Sequence, residues 1–282
     1  MPIDPGAVGA KGQPSTRSWD TRDVMLYALG VGAGVDELEL TTENTQDVEL
    51  VTLPSMAVIL GGGGMNALGG IGSFNPVLLV HGGQSFRVHA PIPTSGTVTS
   101  EGEVTAIWDK GSGAVVEVTS SSKLEGSDEV LFTNVTSIFL RGEGGFGGDR
   151  GPSGAQNEPP DTAANHQVVL STRDDQALLY RLSGDHNPLH SDPAFASAAG
   201  FERPILHGLC TYGFTGRGLI QGLCEGDATR LTSMEGRFSS PVYPGETLTV
   251  RMWRTGDGEA VFTTHGADDR VVISAGRATW RD

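Results

Sequence analysis

The chain has 282 residues, of which 37% are hydrophobic and 19% charged, a composition typical of a globular protein with one large domain or two of ordinary size. Its formal net charge of −15 at pH 7 is opposite in sign to that of a general nucleic-acid binder, so we set that class aside. No apolar run approaches the roughly 20 residues of a membrane span, and residues 1–20 contain no apolar core of a signal peptide.

The two cysteines lie in an apolar stretch. Cys210 and Cys224 are fourteen residues apart and show no CxxC pattern, which is typical of buried free thiols in a reducing compartment rather than of a disulfide. We therefore predict a cytoplasmic protein with neither a membrane nor a nucleic acid as a partner.

The first distinctive segment in chain order is the glycine-rich run at 61–74, which follows the apolar residues 56–60. Its string GGGMNA fits a loose dinucleotide-binding pattern, which would need a carboxylate about 20 residues further on for the ribose. Residues 50–100 contain no Asp or Glu, so we reject dinucleotide binding. We predict instead a glycine-rich loop that lets the chain turn away from an apolar pocket.

A predicted linker at 142–165, rich in Gly, Pro and polar residues, separates two segments, 1–141 and 166–282. The two segments resemble each other over a long stretch, which predicts a duplicated domain with two similar folds packed together. Chance similarity of two β-hairpins is the alternative. The corresponding stretches are 76–83 with 204–209, 86–99 with 236–249, and 103–118 with 249–264.

The second segment is predicted to contain one long helix followed by a sheet. Residues 205–223 place five apolar residues on one helical face and carry a single formal charge, which indicates a largely buried helix. Segments rich in β-formers follow at about 229–239, 246–255, 258–264 and 270–280, separated by glycine-containing turns. This order predicts an antiparallel sheet curled around the helix, whose glycines let the sheet approach closely.

The loop YRLSGDHNPLH at 180–190 carries two groups that can move protons, Asp185 and His190. A carboxylate and an imidazole that titrates near neutral pH suit general acid and base chemistry. Asn187 can orient a water molecule, and Pro188 disfavours a helix through the loop. The alternative is an ordinary Asx turn, in which Asp185 bonds the backbone and His190 is exposed.

Two other kinds of site are disfavoured. His186 and His190 are four residues apart, as in a helical zinc pair, but Asn187-Pro188 between them argues against a helix. The sequence contains neither HExxH nor an evident third ligand, so we predict no metal and no cofactor. It also lacks a GxSxG nucleophile elbow, so a serine nucleophile is not supported.

His207-Gly208 stands at the start of the predicted long helix. Free N–H groups and the positive end of the helix dipole lie at such a position. A glycine there lets a carbonyl oxygen approach one of these N–H groups closely, as an oxyanion site requires. The alternative is that Gly208 only allows the helix to pack closely.

These motifs together resemble those of a known family. The loop at 180–190, with Ala196 and Ser197 after it, resembles the signature of the MaoC-like hydratases, and most closely that of the (R)-specific 2-enoyl-CoA hydratases, or hydratase 2. FERPILHGLCTYGF at 201–214 and GRFSSPVYPGETL at 236–248 extend the resemblance. The first segment resembles the extra N-terminal repeat of the two-domain members, including the hydratase unit of peroxisomal multifunctional enzyme type 2, at LVHGGQSF (79–86), WDKGSGAVV (108–116) and FLRGEGGFGGDRG (139–151).

The resemblance implies an α+β double hot-dog fold, in which an antiparallel sheet wraps around a long helix in each half. It implies that Asp185 and His190 are the catalytic pair, that Asn187 holds the pair in register, and that the Gly208 N–H binds the thioester oxygen. One active site per chain follows, with the first segment shaping the acyl pocket. The positions that match acyl-CoA contacts are His81, Gly82, Lys110, Asp185, His186, Asn187, Pro188, Leu189, His190, Gly208 and Phe238.

The implied reaction is the hydration of a trans-2-enoyl-CoA to a (3R)-3-hydroxyacyl-CoA. Three alternatives stay open: a dehydratase acting on acyl-carrier-protein substrates, a hot-dog thioesterase, and a non-catalytic module that binds acyl thioesters. The net charge of −15 disfavours a large acidic carrier. Because two-domain members often form dimers, a homodimer is expected.

Overall fold

The computed structural model describes residues 3–152 and 156–281, so residues 1–2, 282 and positions 153–155 of the predicted linker lie outside the described residues. The helices are α1 (Thr21–Gly30), α2 (Leu38–Thr41), α3 (Ala57–Leu60), α4 (Gln176–Tyr180), α5 (Pro193–Ala198) and α6 (Gly208–Leu223). The strands are β1 (Ser15–Trp19), β2 (Leu79–Val88), β3 (Gly96–Asp109), β4 (Gly113–Leu124), β5 (Val130–Arg141), β6 (His166–Ser171), β7 (Leu231–Phe238), β8 (Thr247–Gly256), β9 (Glu259–His265) and β10 (Val271–Trp280).

All ten strands form one antiparallel sheet in the order β1-β3-β4-β5-β2-β7-β10-β9-β8-β6. The pairing of β2 with β7, from Gly83 opposite Arg237 to Arg87 opposite Ser233, joins the strands of the two halves. Counted outward from this junction, each half places its strands in the same order: second, fifth, fourth, third and first along the sequence. The strand order confirms the duplication that the sequence predicts.

The long helix predicted in the second half is α6, and it runs through the interior. Its residues 210–220 are all buried, and it contacts β6, β7, β8 and β10. A Cβ on Gly218 would lie 2.8 Å from Cγ2 of Val250 in β8, so glycine permits the close approach of the sheet. The four strands predicted after the helix are confirmed as β7 to β10, with ends within two residues of the expected positions.

The described part of the first half has no equivalent of α6. The resemblance implies a long helix in each half, but between α2 and β2 the chain forms only the 3₁₀ turns Pro54–Met56 and Pro76–Leu78, α3, and a 3₁₀ helix, Gly62–Gly70. Glycine has a low helix propensity, and here it also permits backbone contact, because the Gly64 carbonyl occupies the space of a Cβ on Gly102 in β3. The glycine-rich run is therefore a 3₁₀ helix packed on β3 and β4 rather than the expected loop.

A buried ion pair ties α6 to the first half. Arg217 is 4% exposed, and its guanidinium group binds the Glu37 carboxylate and donates to the carbonyl oxygen of Val31 (3.0 Å). Glu37 also accepts from Nε2 of Gln221 (3.2 Å). The one formal charge on the predicted helix is therefore buried and paired across the two halves.

Two smaller predictions also have outcomes. Cys210 and Cys224 are both buried and free, as the sequence indicates. None of the helices in the described ranges combines the length and the apolar character that crossing a bilayer requires.

We expect Arg217→Leu to lower the free energy of unfolding by about 3–5 kcal/mol, because it leaves the Glu37 carboxylate unpaired at the contact between the halves. Urea denaturation followed by circular dichroism measures the change. Arg173→Leu is the matched control: Arg173 pairs with Asp175 at the surface, where both side chains are more than half exposed, and its loss costs at most about 1 kcal/mol. Equal losses in the two variants would contradict the proposed role of the buried pair.

Candidate active site

Asp185 lies on a surface loop between α4 and α5. The chain leaves α4 through a 3₁₀ turn at Arg181–Ser183 and bends at Gly184, whose φ of 124° favours glycine. Oδ1 of Asp185 accepts from the N–H of Asn187 (3.1 Å), and Oδ1 of Asn187 accepts from the N–H of Leu189 (3.0 Å). The Asx turn considered as the alternative is therefore present, and the Asp185 side chain remains exposed.

His190 ends the 3₁₀ turn Pro188–His190 and is only 8% exposed, whereas a simple Asx turn predicts an exposed ring. Its Nδ1 lies 2.9 Å from the carbonyl oxygen of Ile205. Because a carbonyl oxygen only accepts, Nδ1 carries the hydrogen and donates. In the neutral ring Nε2 is then unprotonated, which is the state that a general base requires.

His207 connects the loop to α6. It is the N-cap residue of α6 and is 1% exposed, and its ring stacks on that of His190 with centroids 3.8 Å apart and planes inclined by 29°. Its Nε2 lies 3.2 Å from the carbonyl oxygen of Asp185. The sequence analysis gave this side chain no role. The available signal was that a His-Gly pair occurs at corresponding places in both halves, at 81–82 and 207–208.

Gly208 begins α6 beside the stacked histidines. The first N–H groups of a helix have no partner within it, and the helix dipole is positive there. A Cβ on Gly208 would meet the ring of Phe238 at 3.4 Å, an ordinary van der Waals contact. Packing therefore does not require glycine at this position. This favours the hypothesis that Gly208 leaves room for a ligand oxygen over the hypothesis that it only allows the helix to pack closely.

The first half reaches the site through β2. Its register against β5 shifts between His81 and Gly83, so Gly82 lies in a bulge that redirects the strand. The His81 ring meets the Phe238 ring edge-on with centroids 4.9 Å apart, and its Nε2 lies 3.1 Å from Oε1 of Gln84. Phe238 thus connects His81 to Gly208, and these predicted residues lie together at one site.

Lys110 lies apart from this group. It follows β3, which β4 and β5 separate from β2, so at about 4.8 Å per strand it is roughly 14 Å from β2. Its Nζ donates to the carbonyl oxygen of Arg150 and lies 5.7 Å from the centre of the Trp108 ring. The other predicted substrate-binding residues line the loop surface, exposed at His186 and Pro188 and half-buried at Leu189.

Arg17, in β1 of the first half, is a second residue that the sequence analysis missed. Its Nη2 donates to the carbonyl oxygen of Ser183 (2.8 Å) and its Nη1 to that of Ile59 (3.0 Å). The edge strand of the first half therefore holds the start of the loop that carries Asp185. No motif could indicate this contact, because it joins residues 166 positions apart through a main-chain oxygen.

Burial keeps His81, His190 and His207 neutral near pH 7. Burial lowers the pKa of His81 to about 4, and burial together with the nearby His190 lowers the pKa of His207 to about 4. Burial also lowers the pKa of His190, although its bond to Ile205 and the charge of Asp185 act in the opposite direction. A neutral His190 at pH 7 is free to accept a proton.

Asp185, His190 and His207 offer ligand atoms within 4.8 Å of one another, close enough to consider a metal ion. An imidazole binds a metal in its ring plane, but the planes of the two histidines are stacked, so their lone pairs do not meet at a common point. The arrangement suits proton transfer better than metal binding. In the pair considered for zinc, His186 is exposed and His190 is buried.

The fold and the site define a class of protein: a double hot-dog protein with a carboxylate and an imidazole beside the N-terminus of its buried helix. Two family models match the chain, the MFE-2 hydratase 2 N-terminal domain over residues 18–142 and the MaoC like domain over residues 155–275. The chain belongs to the MaoC-like family, in its two-domain hydratase 2 form, and the predicted α+β double hot-dog class is confirmed.

Three known proteins illustrate this membership. The chain is 47% identical to 3-hydroxyacyl-thioester dehydratase Y and 42% identical to enoyl-CoA hydratase ChsH3, both from Mycobacterium tuberculosis, in each case over 98% of both chains. Among solved structures, a MaoC-like dehydratase from Phytophthora capsici superposes with a TM-score of 0.89 at 30% identity, covering 99% of this chain and 98% of the other.

We expect the free energy of unfolding to fall as the pH drops from 6.5 towards 4. His81 has a lowered pKa in the folded state, so in this window the unfolded chain binds more protons. His81→Gln should therefore reduce the slope by up to about 1.4 kcal/mol per pH unit. Urea titrations at pH 7, 6 and 5 measure the slope. His89→Gln at an exposed position is the control, and a slope unchanged by His81→Gln would contradict the assignment.

Proposed function

We propose that this chain catalyses the (R)-specific hydration of a trans-2-enoyl-CoA to a (3R)-3-hydroxyacyl-CoA, and the reverse dehydration, in fatty acid metabolism. The observation that carries the proposal is the meeting of the Asp185 carboxylate, the unprotonated Nε2 of His190 and the free N-terminus of α6. The enzyme is a hydro-lyase, in agreement with its membership of a family whose members include named hydratases and dehydratases.

The reaction needs a water molecule held against one face of the substrate. Asp185 and His190 hold this water, whose oxygen adds to C3 while the pair takes one of its protons and delivers a proton to C2. Because both groups act from the same side, the hydroxyl group and the hydrogen enter the same face of the double bond. Asn187 supports the pair indirectly, since its side-chain oxygen caps the turn that carries His190.

The N-terminus of α6 stabilises the charge that develops during the reaction. As water adds to C3, the electron pair of the double bond moves towards the thioester, and the carbonyl oxygen becomes more negative. In the proposed complex the Gly208 N–H and the helix dipole bind this oxygen, and the position of Gly208 as the first residue of α6 supports this role. Loss of one such donor in other enzymes costs about 3–4 kcal/mol of barrier.

The two halves divide the work. Residues 166–282 supply the proton-transferring groups, residues 1–141 shape the acyl pocket, and 142–165 link the two. The bulge at Gly82 and the His81–Phe238 contact support a substrate path that crosses from one half to the other. His186, Pro188 and Leu189 border the same path.

Coenzyme A is the carrier that we propose, and the net charge of the chain supports it over a carrier protein. A ligand that reaches both Gly208 and Lys110 must be extended, since roughly 14 Å of sheet separates Lys110 from β2. The pantetheine arm of coenzyme A is such a ligand, and its phosphates would meet the Lys110 ammonium group. An acyl-carrier protein offers the same arm, but its acidic surface would be repelled by a chain with a net charge of −15.

We also propose that the enzyme acts in the cytoplasm as a homodimer, with neither a membrane nor a nucleic acid as a partner. The two free buried cysteines support a reducing compartment. Leu178 and Leu182 support a protein contact, because each exposes more than half of its surface in the α4 region.

We expect Asp185→Asn and His190→Gln each to abolish the hydration of crotonyl-CoA, because the water then loses one of its two holders. Loss of the enoyl absorbance measures turnover, chiral analysis tests for the (3R) product, and a thiol reagent detects any free coenzyme A. His89→Gln is the matched control at an exposed position. Near-normal turnover in either variant would refute the proposed roles of Asp185 and His190. Release of a free thiol by the wild type would indicate a thioesterase. Tight binding of crotonyl-CoA by the wild type without turnover would indicate a binding module.

We expect Gly208→Ala to fold normally and to lose about 10²-fold in kcat/KM, because the methyl group fills the space through which the thioester oxygen approaches. Its thermal midpoint should not fall, since alanine favours a helix and the added Cβ makes only an ordinary contact. Gly213→Ala is the opposite control: its Cβ would overlap Val31, so it should destabilise the fold. A fully active Gly208→Ala enzyme would exclude the oxyanion role.

A further inference from the structure

His207 contacts three parts of the site at once. Its ring stacks on His190, its Nε2 reaches the carbonyl oxygen of Asp185, and its own peptide leads into Gly208. On the remaining side the ring of Tyr180 packs against it, with centroids 5.0 Å apart. At 1% exposure, it is more deeply buried than His190, which is 8% exposed.

The hydrogen-bonding pattern of His207 indicates more than packing. Because the Asp185 carbonyl oxygen only accepts, Nε2 of His207 carries the hydrogen and donates. Nδ1 is then unprotonated, and among the described residues it has no hydrogen-bond partner despite being buried. A buried polar atom without a partner costs free energy. A phenylalanine would fill this position without that cost, so the Nε2–H group is the feature that distinguishes histidine here.

We propose that His207 is a positioning residue that fixes Asp185, His190 and Gly208 relative to one another. It holds the backbone of Asp185 through Nε2–H, and it shields one face of the His190 ring from water. This inference rests on the proposed hydratase function and extends the site beyond the pair that moves protons.

Burial, more than the neighbouring charged groups, determines the charge of His207. His190 and Arg181 disfavour a proton on it and Asp185 favours one, but burial dominates and lowers its pKa to about 4. The hydroxyl of Tyr180 adds no charge, because burial raises its pKa well above the ordinary value. His207 therefore stays neutral while His190 gains and loses a proton, and it presents no like charge to the protonated ring.

Two substitutions separate the hydrogen bond of His207 to Asp185 from its stacking on His190. His207→Phe keeps the aromatic cover over His190 but removes the donor to Asp185. His207→Gln keeps an N–H donor of similar reach but removes the ring. Both variants are compared with the wild type in the hydration of crotonyl-CoA, with kcat, KM and the pH dependence of kcat/KM measured separately.

The hydrogen bond from Nε2–H of His207 to the Asp185 carbonyl oxygen should affect kcat. In His207→Phe we expect kcat to fall about 10²-fold, the usual effect of a misplacement of about 1 Å, while KM stays within about twofold. His207→Gln should recover kcat to within about tenfold of the wild type, because its amide again holds the Asp185 carbonyl. A residue needed only for packing would show the opposite order, since phenylalanine fills the space better than glutamine.

The aromatic ring stacked on His190 should affect the pH dependence of kcat/KM. The acid limb of kcat/KM reports protonation of His190, and in the wild type it should lie below pH 6.5 because burial lowers the His190 pKa. In His207→Gln, water reaches the ring, the His190 pKa rises and the acid limb should move up by at least about 0.5 pH unit. In His207→Phe the cover remains, so the acid limb should not move.

Melting curves by circular dichroism establish whether each variant folds. If His207→Phe does not fold, His207→Asn replaces it, because its shorter amide cannot reach the Asp185 carbonyl and should lose kcat relative to His207→Gln. The positioning role would be overturned if His207→Phe (or His207→Asn in its place) kept the kcat of the wild type. It would also be overturned if all variants had the same acid limb in kcat/KM. Neither result would affect the hydratase function. A wild type inactive on every enoyl thioester would refute both.

Discussion

The antiparallel pairing of β2 with β7 brings the two halves together at the candidate site. It joins two five-stranded sheets into one, and it places the bulge at Gly82 beside the end of β7 at Phe238. Phe238 in turn lies against the first residue of α6. Because β2 and β7 come from different halves, neither half could form this arrangement alone, and the Arg17–Ser183 contact strengthens the same dependence.

The two halves share a strand order but differ in their interiors, and this difference supports the proposal of one site per chain. In the second half, α6 is a 16-residue helix whose N-terminus meets the loop from Asp185 to His190. In the first half, glycines bring Gly62–Gly70 onto the sheet, and the described residues contain no long helix whose dipole could act on a ligand. Among the described residues, the strand order is thus common to both halves, whereas the long helix proposed to stabilise negative charge lies in the second half.

Most of the fold was predictable from the sequence because its signals are local. Helical spacing of apolar residues indicated α6, and β-formers between glycine-containing turns indicated β7 to β10. The candidate proton-transferring groups of the loop were also recognisable, since Asp185 and His190 are five residues apart. Whether the first half contained a long central helix like α6 was not readable, because the structural role of its glycines depends on Gly102, a partner far along the chain.

The part of the site that could not be predicted consists of contacts to main-chain oxygens. His190 is oriented by the carbonyl of Ile205, His207 is held by that of Asp185, and Arg17 binds that of Ser183. Every residue has such an oxygen, so no residue type marks these partners in a sequence. The resemblance to hydratase 2 pointed to the groups that we propose to contact the substrate, whereas the residues that hold them required coordinates.

The loop combines features of the two alternatives that the sequence left open, a surface turn and a proton-transfer site: the Asx turn is present, and His190 is buried. In the turn, the N–H of Asn187 donates to Oδ1 of Asp185, and the N–H of Leu189 donates to Oδ1 of Asn187. Neither bond uses Nε2 of His190, whose ring is oriented by Ile205. The Asx turn therefore fixes the backbone that carries both proposed proton-transferring groups without using the nitrogen that is proposed to take the proton. A tight turn is thus a means of building this site, because it holds a carboxylate at the surface and an imidazole just beneath it.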